Sequence, residues 1–238
     1  MCYYYNTMKP LNTIWNAVLD TIFPKFCLAC GERGVDLCEK CLGAFPRTER
    51  ESAEWVFPLY DYRHPPIRKS IKLLKYKRHK NLARVFAENL YPTILEELSE
   101  LKTMENFREP FLVPIPLSRR RLRQRGFNQA ELICEELIRL DVENNLRYSI
   151  DDASANFTLE KNVLLKPKET PHQADIKDRQ ARLRNIIGSF AVSNGEKITK
   201  RNIILIDDVT TTGATLHEAK KVLKEAGARR VIAFTVAH

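Results

Sequence analysis

The stretch RNIILIDDVTTTGATLHEAKKVL, residues 201 to 223, decides the fold of this chain. Its apolar run Ile203 to Ile206 predicts a buried strand, which ends in two adjacent carboxylates, Asp207 and Asp208. Gly213 then permits a tight turn into an amphipathic helix. A strand that passes through a glycine turn into a helix is typical of an α/β fold. Paired carboxylates at such a turn are awkward for a purely structural loop, so the stretch also predicts a ligand.

The turn between this strand and this helix is rich in hydroxyl groups. Its residues are Thr210, Thr211, Thr212, Gly213, Ala214 and Thr215. These hydroxyls and the free amides of a helix N-terminus form a cradle for a phosphate group. We expect Asp207 and Asp208 to face solvent without a partner, where they suit vicinal sugar hydroxyls or a magnesium ion. A phosphate next to a diol is a ribose 5-phosphate, whereas a capped structural turn accounts for only one of the four threonines.

Apolar segments elsewhere in the chain predict further strands. They are WVFPLYDY at 55 to 62, FLVPIP at 111 to 116, NVLL at 162 to 165, IIGSFAV at 186 to 192 and RVIAFTVAH at 230 to 238. Continuous apolar strands that alternate with helical segments predict a parallel sheet covered on both faces. Ligands of such sheets bind at the carboxyl ends of the strands. We therefore predict a parallel-sheet α/β domain over residues 51 to 238, preceded by a small N-terminal unit over residues 1 to 50.

Two CxxC pairs, separated by seven residues, mark the N-terminal unit. The four cysteines are Cys27, Cys30, Cys38 and Cys41. Each pair lets two thiolates bind one ion from a tight turn, and four soft ligands suit tetrahedral zinc. Two disulfides or a redox pair are the alternatives, but disulfides fit poorly with a reducing compartment and redox chemistry needs only one pair. The spacing predicts a structural zinc knuckle.

The chain has 238 residues, a hydrophobic content of 44% and a formal charge of +9. This length and content are ordinary for a soluble globular protein, and the positive charge favours anionic partners. Apolar residues between Leu11 and Ile22 follow the spacing of an amphipathic helix. No segment approaches the ~20 apolar residues that a membrane span requires. We expect a cytoplasmic protein without a transmembrane segment.

Residues 63 to 80 are strongly basic and contain no acidic residue. Interleaved tyrosines would place stacking faces beside phosphate-binding charges. The candidate nucleic-acid residues are Lys72, Lys75, Tyr76 and Arg78. The alternative is a solvated helix face, with Ile67, Ile71 and Leu74 packed inward.

A second basic cluster follows the predicted strand FLVPIP. Five arginines lie between Arg119 and Arg125, and a helix is predicted from about Phe127. Guanidinium groups in a loop at a strand end can fork onto phosphate oxygens. A surface helix would rarely tolerate so much repulsion between like charges. We therefore expect a loop that binds an anion.

The stretch LIDDVTTTGAT, residues 205 to 215, resembles the signature of type I phosphoribosyltransferases. This resemblance implies binding of phosphoribosyl pyrophosphate together with magnesium. It implies that Asp207 and Asp208 hold the ribose hydroxyls and that residues 211 to 215 hold the 5-phosphate. Purine-salvage relatives often carry an aspartate where this chain has Thr211, so a general base for a 6-oxopurine is not evident.

Two further segments resemble parts of the same family. The loop after FLVPIP is similar to the pyrophosphate loop, with Arg119 and Arg121 as candidate ligands. The polar run 166 to 182 is similar to the flexible catalytic loop. The resemblance thus makes Asp207, Asp208 and Arg119 the candidate catalytic residues.

The order of motifs narrows the resemblance to the ComF family. After the paired CxxC motifs come KLLKYKRHKNLA, RQRGFNQAELI, TPHQ, RLRN and LIDDVTTTGAT. The resemblance covers nearly the whole chain. It implies a role in DNA uptake and natural transformation, with single-stranded DNA and a helicase-like competence translocase as partners.

Two functions stay open at this point. In the first, the protein is a competence factor that handles nucleic acid and uses its phosphoribosyl pyrophosphate site in that role. In the second, it is a metabolic phosphoribosyltransferase of nucleotide salvage or synthesis, with an unknown acceptor. The cysteine knuckle and basic segments favour the first, and the complete ribose-phosphate loop favours retained transferase chemistry.

Overall fold

The computed structural model describes residues 24–49, 52–76, 79–148, 156–168 and 186–238, with the backbone alone at residues 147 and 148. The chain divides into two compact units, Met1–Phe45 and Pro46–His238. The predicted N-terminal amphipathic helix and residues 169 to 182 of the predicted catalytic loop lie outside the described residues.

The smaller unit has one described helix, α1 (Glu39–Ala44). In the larger unit the helices and strands follow one another along the chain. They are β1 (Val56–Tyr60), α2 (Pro65–Tyr76), α3 (Asn81–Glu105), β2 (Phe111–Pro114), α4 (Arg119–Arg125), α5 (Gln129–Tyr148), β3 (Thr158–Leu159), β4 (Leu164–Leu165), β5 (Ala191–Val192), β6 (Asn202–Val209), α6 (Ala214–Glu225) and β7 (Arg230–Ala237). No helix in these described ranges is long and apolar enough to cross a membrane.

A parallel sheet of five strands, in the order β1-β7-β6-β2-β3, organises the larger unit. Strand β6 lies at its centre, where Ile203 is in register with Phe111 of β2 and with Val231 of β7. Parallel strands bring their carboxyl ends to one edge, so the ends of β1, β2, β6 and β7 meet there. The predicted parallel α/β fold is confirmed.

Strands β4 and β5 depart from the predicted sheet. They pair with each other in an antiparallel ladder, Leu164 with Val192, and form a separate sheet of two strands. Their segments are nevertheless apolar because Val163, Leu164 and Phe190 are buried against the core of the main sheet. An apolar segment therefore indicates burial, but it does not distinguish a strand of the main sheet from a segment that packs over the sheet.

The core lies on both faces of the sheet. Ile203, Ile204, Leu205 and Ile206 of β6 are all fully buried, and burial of such a side chain stabilises the fold by about 1.5–3 kcal/mol. Alternation along the strand sends Ile203 and Leu205 toward the cluster that includes the apolar stripe of α6. On the other face α5 contacts β2 and β6, and α3 contacts β7. This double covering explains why β6 shows a continuous apolar run.

Candidate functional site

Strand β6 delivers the two predicted carboxylates to the carboxyl edge of the sheet. Asp208 is only 2% exposed, and Asp207 is partly exposed. The Oδ1 atom of Asp207 accepts a hydrogen bond from the backbone N–H of Asp208 at 2.8 Å. The expectation that both carboxylates face solvent without a partner is wrong for Asp208. The strand continues to Val209, so neighbouring side chains turn to opposite faces, and one of them is buried.

Lys75 of α2 is the partner of Asp208. Its Nζ lies 2.9 Å from Oδ2 of Asp208, and the two side chains are 18% and 3% exposed. Burial opposes the charge of Lys75, but the carboxylates of Asp208 and Asp207 raise its pKa above the ordinary value. Removing one member of a buried ion pair leaves the other charge uncompensated. Lys75 therefore neutralises the carboxylate of Asp208, while that of Asp207 does not take part in this ion pair.

The periodicity of α2 explains why Lys75 reaches the sheet. Ile67, Ile71 and Leu74 are fully buried, and Lys75 extends their stripe at the eighth position after Ile67. Lys72 lies outside this stripe and is exposed. The structure thus separates two residues that we predicted to act together on nucleic acid. The sequence signal for this separation is the helical stripe, which sorts the lysines by face.

The environment of Asp207 holds its proton unusually tightly. Burial, followed by the negative charge of Asp208, raises the pKa of Asp207 to about 7, against the opposing influence of Lys75. The carboxyl group can therefore gain or lose a proton near neutral pH. A titratable group with such a perturbed pKa at the carboxyl edge of a parallel sheet is a candidate functional group.

The threonine turn closes onto the N-terminus of α6. Gly213 has a φ of +72°, in the left-handed region, and a Cβ atom there would lie 3.3 Å from Cδ2 of His217. The N–H of Ala214 lies 3.4 Å from Oγ1 of Thr212. Residues 209 to 216, together with Asp207, line a concavity of about 20 Å³. This volume is about that of one water molecule.

His238 ties this turn to the neighbouring strand. Its Nε2 lies 2.8 Å from the carbonyl oxygen of Thr211, so this nitrogen carries the proton and donates it. Its backbone N–H donates to the carbonyl of Tyr60 at 3.0 Å, and the N–H of Thr210 donates to the carbonyl of Ala237 at 3.0 Å. Sequence analysis missed His238. Its only signal is its place at the carboxyl end of the last predicted strand.

The arginine cluster forms the helix α4, so the predicted loop is wrong. Ser118 precedes the helix in an extended conformation, and Gly126 ends it with a φ of +79°. Arginine, leucine and glutamine all favour helices, and this propensity outweighs the repulsion between like charges over two turns. The helix follows β2 at the same edge as the carboxylates. Arg119 is exposed there and Arg121 is half-buried.

The two basic segments meet through Tyr76 and Arg125. The guanidinium carbon of Arg125 lies 5.0 Å from the centroid of the Tyr76 ring, and its Nη2 lies 3.3 Å from the tyrosine hydroxyl. Nη1 of Arg125 also donates to Oε1 of Gln129 at 2.8 Å. The side chain of Tyr76 is still 53% exposed. Arg78, the last of the four predicted nucleic-acid residues, lies outside the described residues.

The four predicted cysteines of the smaller unit come together. The Sγ atoms of Cys27, Cys30, Cys38 and Cys41 all lie within 4.8 Å of one another, so the cluster could hold a metal ion. A zinc–sulfur bond of about 2.3 Å places the sulfurs of a tetrahedral site roughly 3.8 Å apart, and those of Cys30 and Cys38 are 3.6 Å apart. The N–H of Cys38 lies 3.4 Å from Sγ of Cys27. The donor set and spacing fit a tetrahedral thiolate site.

The backbone around the cysteines explains the geometry of the knuckle. Gly31 and Gly34 have φ values of +77° and +101°, which allow two tight turns. The N–H of Gly31 donates to the carbonyl of Cys27 at 2.9 Å. Burial opposes ionisation of Cys27, yet nearby backbone N–H groups lower its pKa to about 6. This environment favours the thiolate of Cys27, the form that a metal requires, whereas the pKa values of Cys38 and Cys41 are raised.

Comparisons with known proteins place the chain among related sequences. Residues 150–238 match the phosphoribosyl transferase domain family. Competence protein ComFC of Streptococcus pneumoniae is 30% identical over 97% of this chain and 96% of its own length. Competence protein F of Haemophilus influenzae is 29% identical over 85% of this chain and 81% of its own. DNA utilization protein YhgH of Escherichia coli is 28% identical over 82% of this chain and 74% of its own.

These similarities span most of the chain and not only the ribose-phosphate motif. The match to ComFC of Streptococcus pneumoniae covers nearly the full length of both chains. The structure adds a parallel α/β sheet whose central strand ends in those carboxylates. The chain belongs to the ComF family of competence proteins and has a phosphoribosyltransferase fold.

Proposed function

We propose that this protein binds phosphoribosyl pyrophosphate with magnesium at the carboxyl edge of its sheet, and that it handles single-stranded DNA during DNA uptake. One observation carries the first half of the proposal. The carboxylate pair near the end of β6 adjoins a threonine turn and a helix N-terminus, and Asp207 lines the same 20 Å³ concavity as that turn. Hydroxyls and amides suit a phosphate, and carboxylates suit a diol or a hydrated metal ion.

The structure suggests unequal roles for the two aspartates. Asp208 is neutralised by Lys75, so it would fix the end of β6 and contribute less charge to a ligand. Asp207 is partly exposed and lines the concavity, so its carboxylate is the better acceptor for ribose hydroxyls. Magnesium would supply positive charge against the pyrophosphate group. Residues 210 to 215 would hold the 5-phosphate.

The pyrophosphate group calls for guanidinium ligands at the same edge. Arg119 and Arg121 begin helix α4 directly after the carboxyl end of β2, the strand next to β6. A planar guanidinium group binds phosphate oxygens through two parallel hydrogen bonds. We assign these two residues to the pyrophosphate group on the basis of this position.

The metal of the cysteine cluster is proposed to be zinc with a structural role. Four thiolates leave no open coordination position, as in closed structural zinc sites. Zinc binding would then contribute to the folding of the smaller unit. Elemental analysis should find about one zinc per chain. Metal-free protein that folds equally well would contradict this role.

The proposed contact with single-stranded DNA rests on the exposed face of α2. Arg68, Lys69 and Lys72 are all exposed on this helix, and Tyr76 offers an exposed ring beside them. Cations next to an aromatic ring suit a strand of nucleic acid. The relatives named for competence and DNA utilization support this assignment, and a helicase-like translocase is the proposed partner.

A metabolic phosphoribosyltransferase is the second candidate function. The observation in its favour is the completeness of the ribose-phosphate turn, because a protein that only handles DNA has no need of it. The acceptor would have to be identified by a screen for pyrophosphate release with bases, nucleosides and DNA. Release with a small acceptor, and no binding to DNA, would favour the metabolic function.

Calorimetry with phosphoribosyl pyrophosphate and magnesium tests the main proposal. Asp207→Asn should abolish binding, because it removes the charge that the ligand requires. Asp61→Asn is the matched control, since Asp61 follows β1 at the same edge and its Oδ1 accepts from the backbone N–H of Arg63. Equal affinity in the wild type and in Asp207→Asn would refute the assignment of the ribose site.

A charge reversal on α2 tests the contact with DNA. Lys72→Glu should weaken binding of oligothymidylate and leave the affinity for phosphoribosyl pyrophosphate unchanged, because Lys72 lies outside the buried stripe. Lys75 is unsuitable for this test because it pairs with Asp208. Unchanged DNA affinity after Lys72→Glu would remove α2 from the proposal.

A further inference from the structure

The amino edge of the sheet carries a second pocket of a different character. Its volume is about 460 Å³, within the range of sites that hold small ligands. It lies between Trp55 before β1, the start of β7 and the later turns of α6. Arg230 lies opposite Asn202 at the amino end of β6, whereas Trp55 lies nearer the middle of the sheet, because the next residue, Val56, pairs with Ala233 opposite Leu205. The lining residues of this pocket and of the threonine turn do not overlap, so the two concavities are separate.

Positive charge predominates in this pocket. The charged lining residues are Glu54, Glu105, Lys220, Lys224, Arg229 and Arg230. Arg230 forms an ion pair with Glu105. This pairing leaves three cations against the single carboxylate of Glu54. An excess of cations in a concave surface attracts anions.

Neutral acceptors hold two of these cations in place. The guanidinium of Arg229 donates to the carbonyl oxygen of Glu105 at 3.0 Å and to that of Asn106 at 3.4 Å. Nζ of Lys224 donates to the carbonyl oxygen of Arg229 at 2.7 Å. A carbonyl fixes the position of a cation without neutralising it. The charges thus stay available to a ligand.

Trp55 forms an aromatic wall beside the cations. Nζ of Lys220 lies 3.9 Å from the centroid of the Trp55 ring. The imidazole of His217 also packs on this ring, with centroids 5.0 Å apart and planes at 87°. Burial and then the charge of Lys224 lower the pKa of Lys220. Lys220 therefore covers one face of the Trp55 ring. An aromatic ligand could stack on this face if the ammonium group of Lys220 moved away to pair with an anion.

Proteins that bind single-stranded nucleic acid combine aromatic faces for bases with cations for the backbone. We infer that the amino-edge pocket binds single-stranded DNA, with one base stacked on Trp55 and neighbouring phosphates on Lys220 and Lys224. Stacking of a base replaces the contact between Lys220 and the ring, and a phosphate then pairs with the displaced ammonium. The two lysines are one helical turn apart, so they face the same side of α6.

This inference goes beyond the proposed function, because it adds a nucleic-acid contact made by residues outside α2. Helix α2 begins five residues after β1 ends and reaches Asp208 with Lys75. It therefore stays at the carboxyl edge, whereas the pocket extends from Trp55 toward the amino edge at Arg230. A single strand of DNA that contacts both α2 and this pocket has to run along the side of the sheet.

Tryptophan fluorescence provides a direct test. The chain has two tryptophans, so a Trp15→Phe protein reports on Trp55 alone. Titration with oligothymidylate should quench this emission, because a base stacks on the ring. Thymidine monophosphate should quench only at much higher concentration, since it lacks the neighbouring phosphates. No quenching by the strand, or equal quenching by the mononucleotide, would overturn the inference.

Charge reversal on α6 tests the phosphate contacts. Lys220→Glu and Lys224→Glu should each reduce the slope of log affinity against log salt by about 0.7. Lys221→Glu is the matched control, because Lys221 is an exposed lysine of the same helix outside the pocket lining. The same slope in all three variants would refute the contact.

Removal of the aromatic face tests stacking separately. Trp55→Leu should weaken binding of oligothymidylate about five- to a hundredfold. Binding of phosphoribosyl pyrophosphate should stay unchanged in these variants and confirms that they fold. If Lys72→Glu abolishes DNA binding while the pocket variants bind as the wild type, the inference fails and the proposed function stands.

Discussion

The two edges of the parallel sheet use charge in opposite ways. At the carboxyl edge, two carboxylates and Lys75 lie in a small, largely buried site. At the amino edge, cations and a tryptophan line an open pocket more than twenty times larger by volume. Burial makes charge costly at the first edge, and solvent screens it at the second.

The ion pairs of the two edges illustrate this difference. The side chains of Lys75 and Asp208 are 18% and 3% exposed, whereas those of Arg230 and Glu105 are 41% and 32% exposed. A buried pair resists the loss of either member, while an exposed pair contributes little. The ion pair at the carboxyl edge therefore holds its site in place, whereas the ion pair at the amino edge can separate and let Arg230 bind another anion.

The largest effect should follow from breaking the buried pair. Asp208→Ala leaves the ammonium of Lys75 without its partner and should lower the free energy of unfolding by about 3–5 kcal/mol. Urea denaturation measures this loss. The double variant Lys75→Met, Asp208→Leu should recover most of the stability, because it removes both charges. No recovery would mean that the pair matters for packing rather than for charge.

Titration of Asp207 should give the next largest effect. Its pKa is raised from 3.8 to about 7, and the proposed ligand needs the ionised form. Affinity for phosphoribosyl pyrophosphate and magnesium should rise about tenfold per pH unit below pH 7 and level off above it. Calorimetry across this range checks the rise. Affinity that is independent of pH would show that Asp207 does not bind as the carboxylate.

Stability should change in the opposite direction with pH. The folded protein keeps a proton on Asp207 that the unfolded chain loses above about pH 3.8, so this group makes folding less favourable as the pH rises from 4 to 7. Asp207→Asn should remove this contribution. The difference in the free energy of unfolding between wild type and variant isolates Asp207 from the other titrating groups.

Backbone strain at the turn should have a smaller effect. Gly213→Ala forces a non-glycine residue into the left-handed region, at a cost of about 1–2 kcal/mol, and brings a Cβ atom to 3.3 Å from His217. Gly188→Ala is a matched control, since Gly188 has a φ of +67° and nothing within 4 Å of the added atom. The loss should be larger at Gly213, and equal losses at the two positions would mean that His217 moves without cost. Thermal or urea unfolding measures both.

The smallest effect should come from the exposed pair at the amino edge. Glu105→Gln should change the free energy of unfolding by less than about 1 kcal/mol, because solvent screens the pair. It should also strengthen binding of oligothymidylate, since it frees the charge of Arg230. A loss of stability as large as that of Asp208→Ala would contradict the contrast between the two edges.

Local pattern was sufficient to predict several parts of this protein. The apolar run that ends in Asp207 predicted the central strand, because buried parallel strands are apolar on both faces. The spacing of the paired CxxC motifs predicted the cysteine cluster, because its ligands lie within one short segment. The order of motifs along the chain indicated the ComF family. The strand and the cysteine cluster are each set by residues close together in sequence, and each motif of the family lies within one short segment.

Other features could not be predicted because their partners are distant in sequence. The pairing of β4 with β5 joins segments more than twenty residues apart. The arginine segment became a helix because propensity over seven residues outweighed repulsion between like charges. Lys75 was assigned to nucleic acid, although the helical stripe of Ile67 and Ile71 could have placed it on the buried face.

The sequence by itself determined the class of fold, the place of the threonine turn and the cysteine donor set, since short-range periodicity and spacing encode them. Only the tertiary structure decided that Asp208 is paired and that Asp207 holds its proton to about pH 7. It also brought Trp55 to Lys220 across 165 positions of the chain. Burial and long-range contact set pKa values and pockets, and neither is visible until the chain is folded.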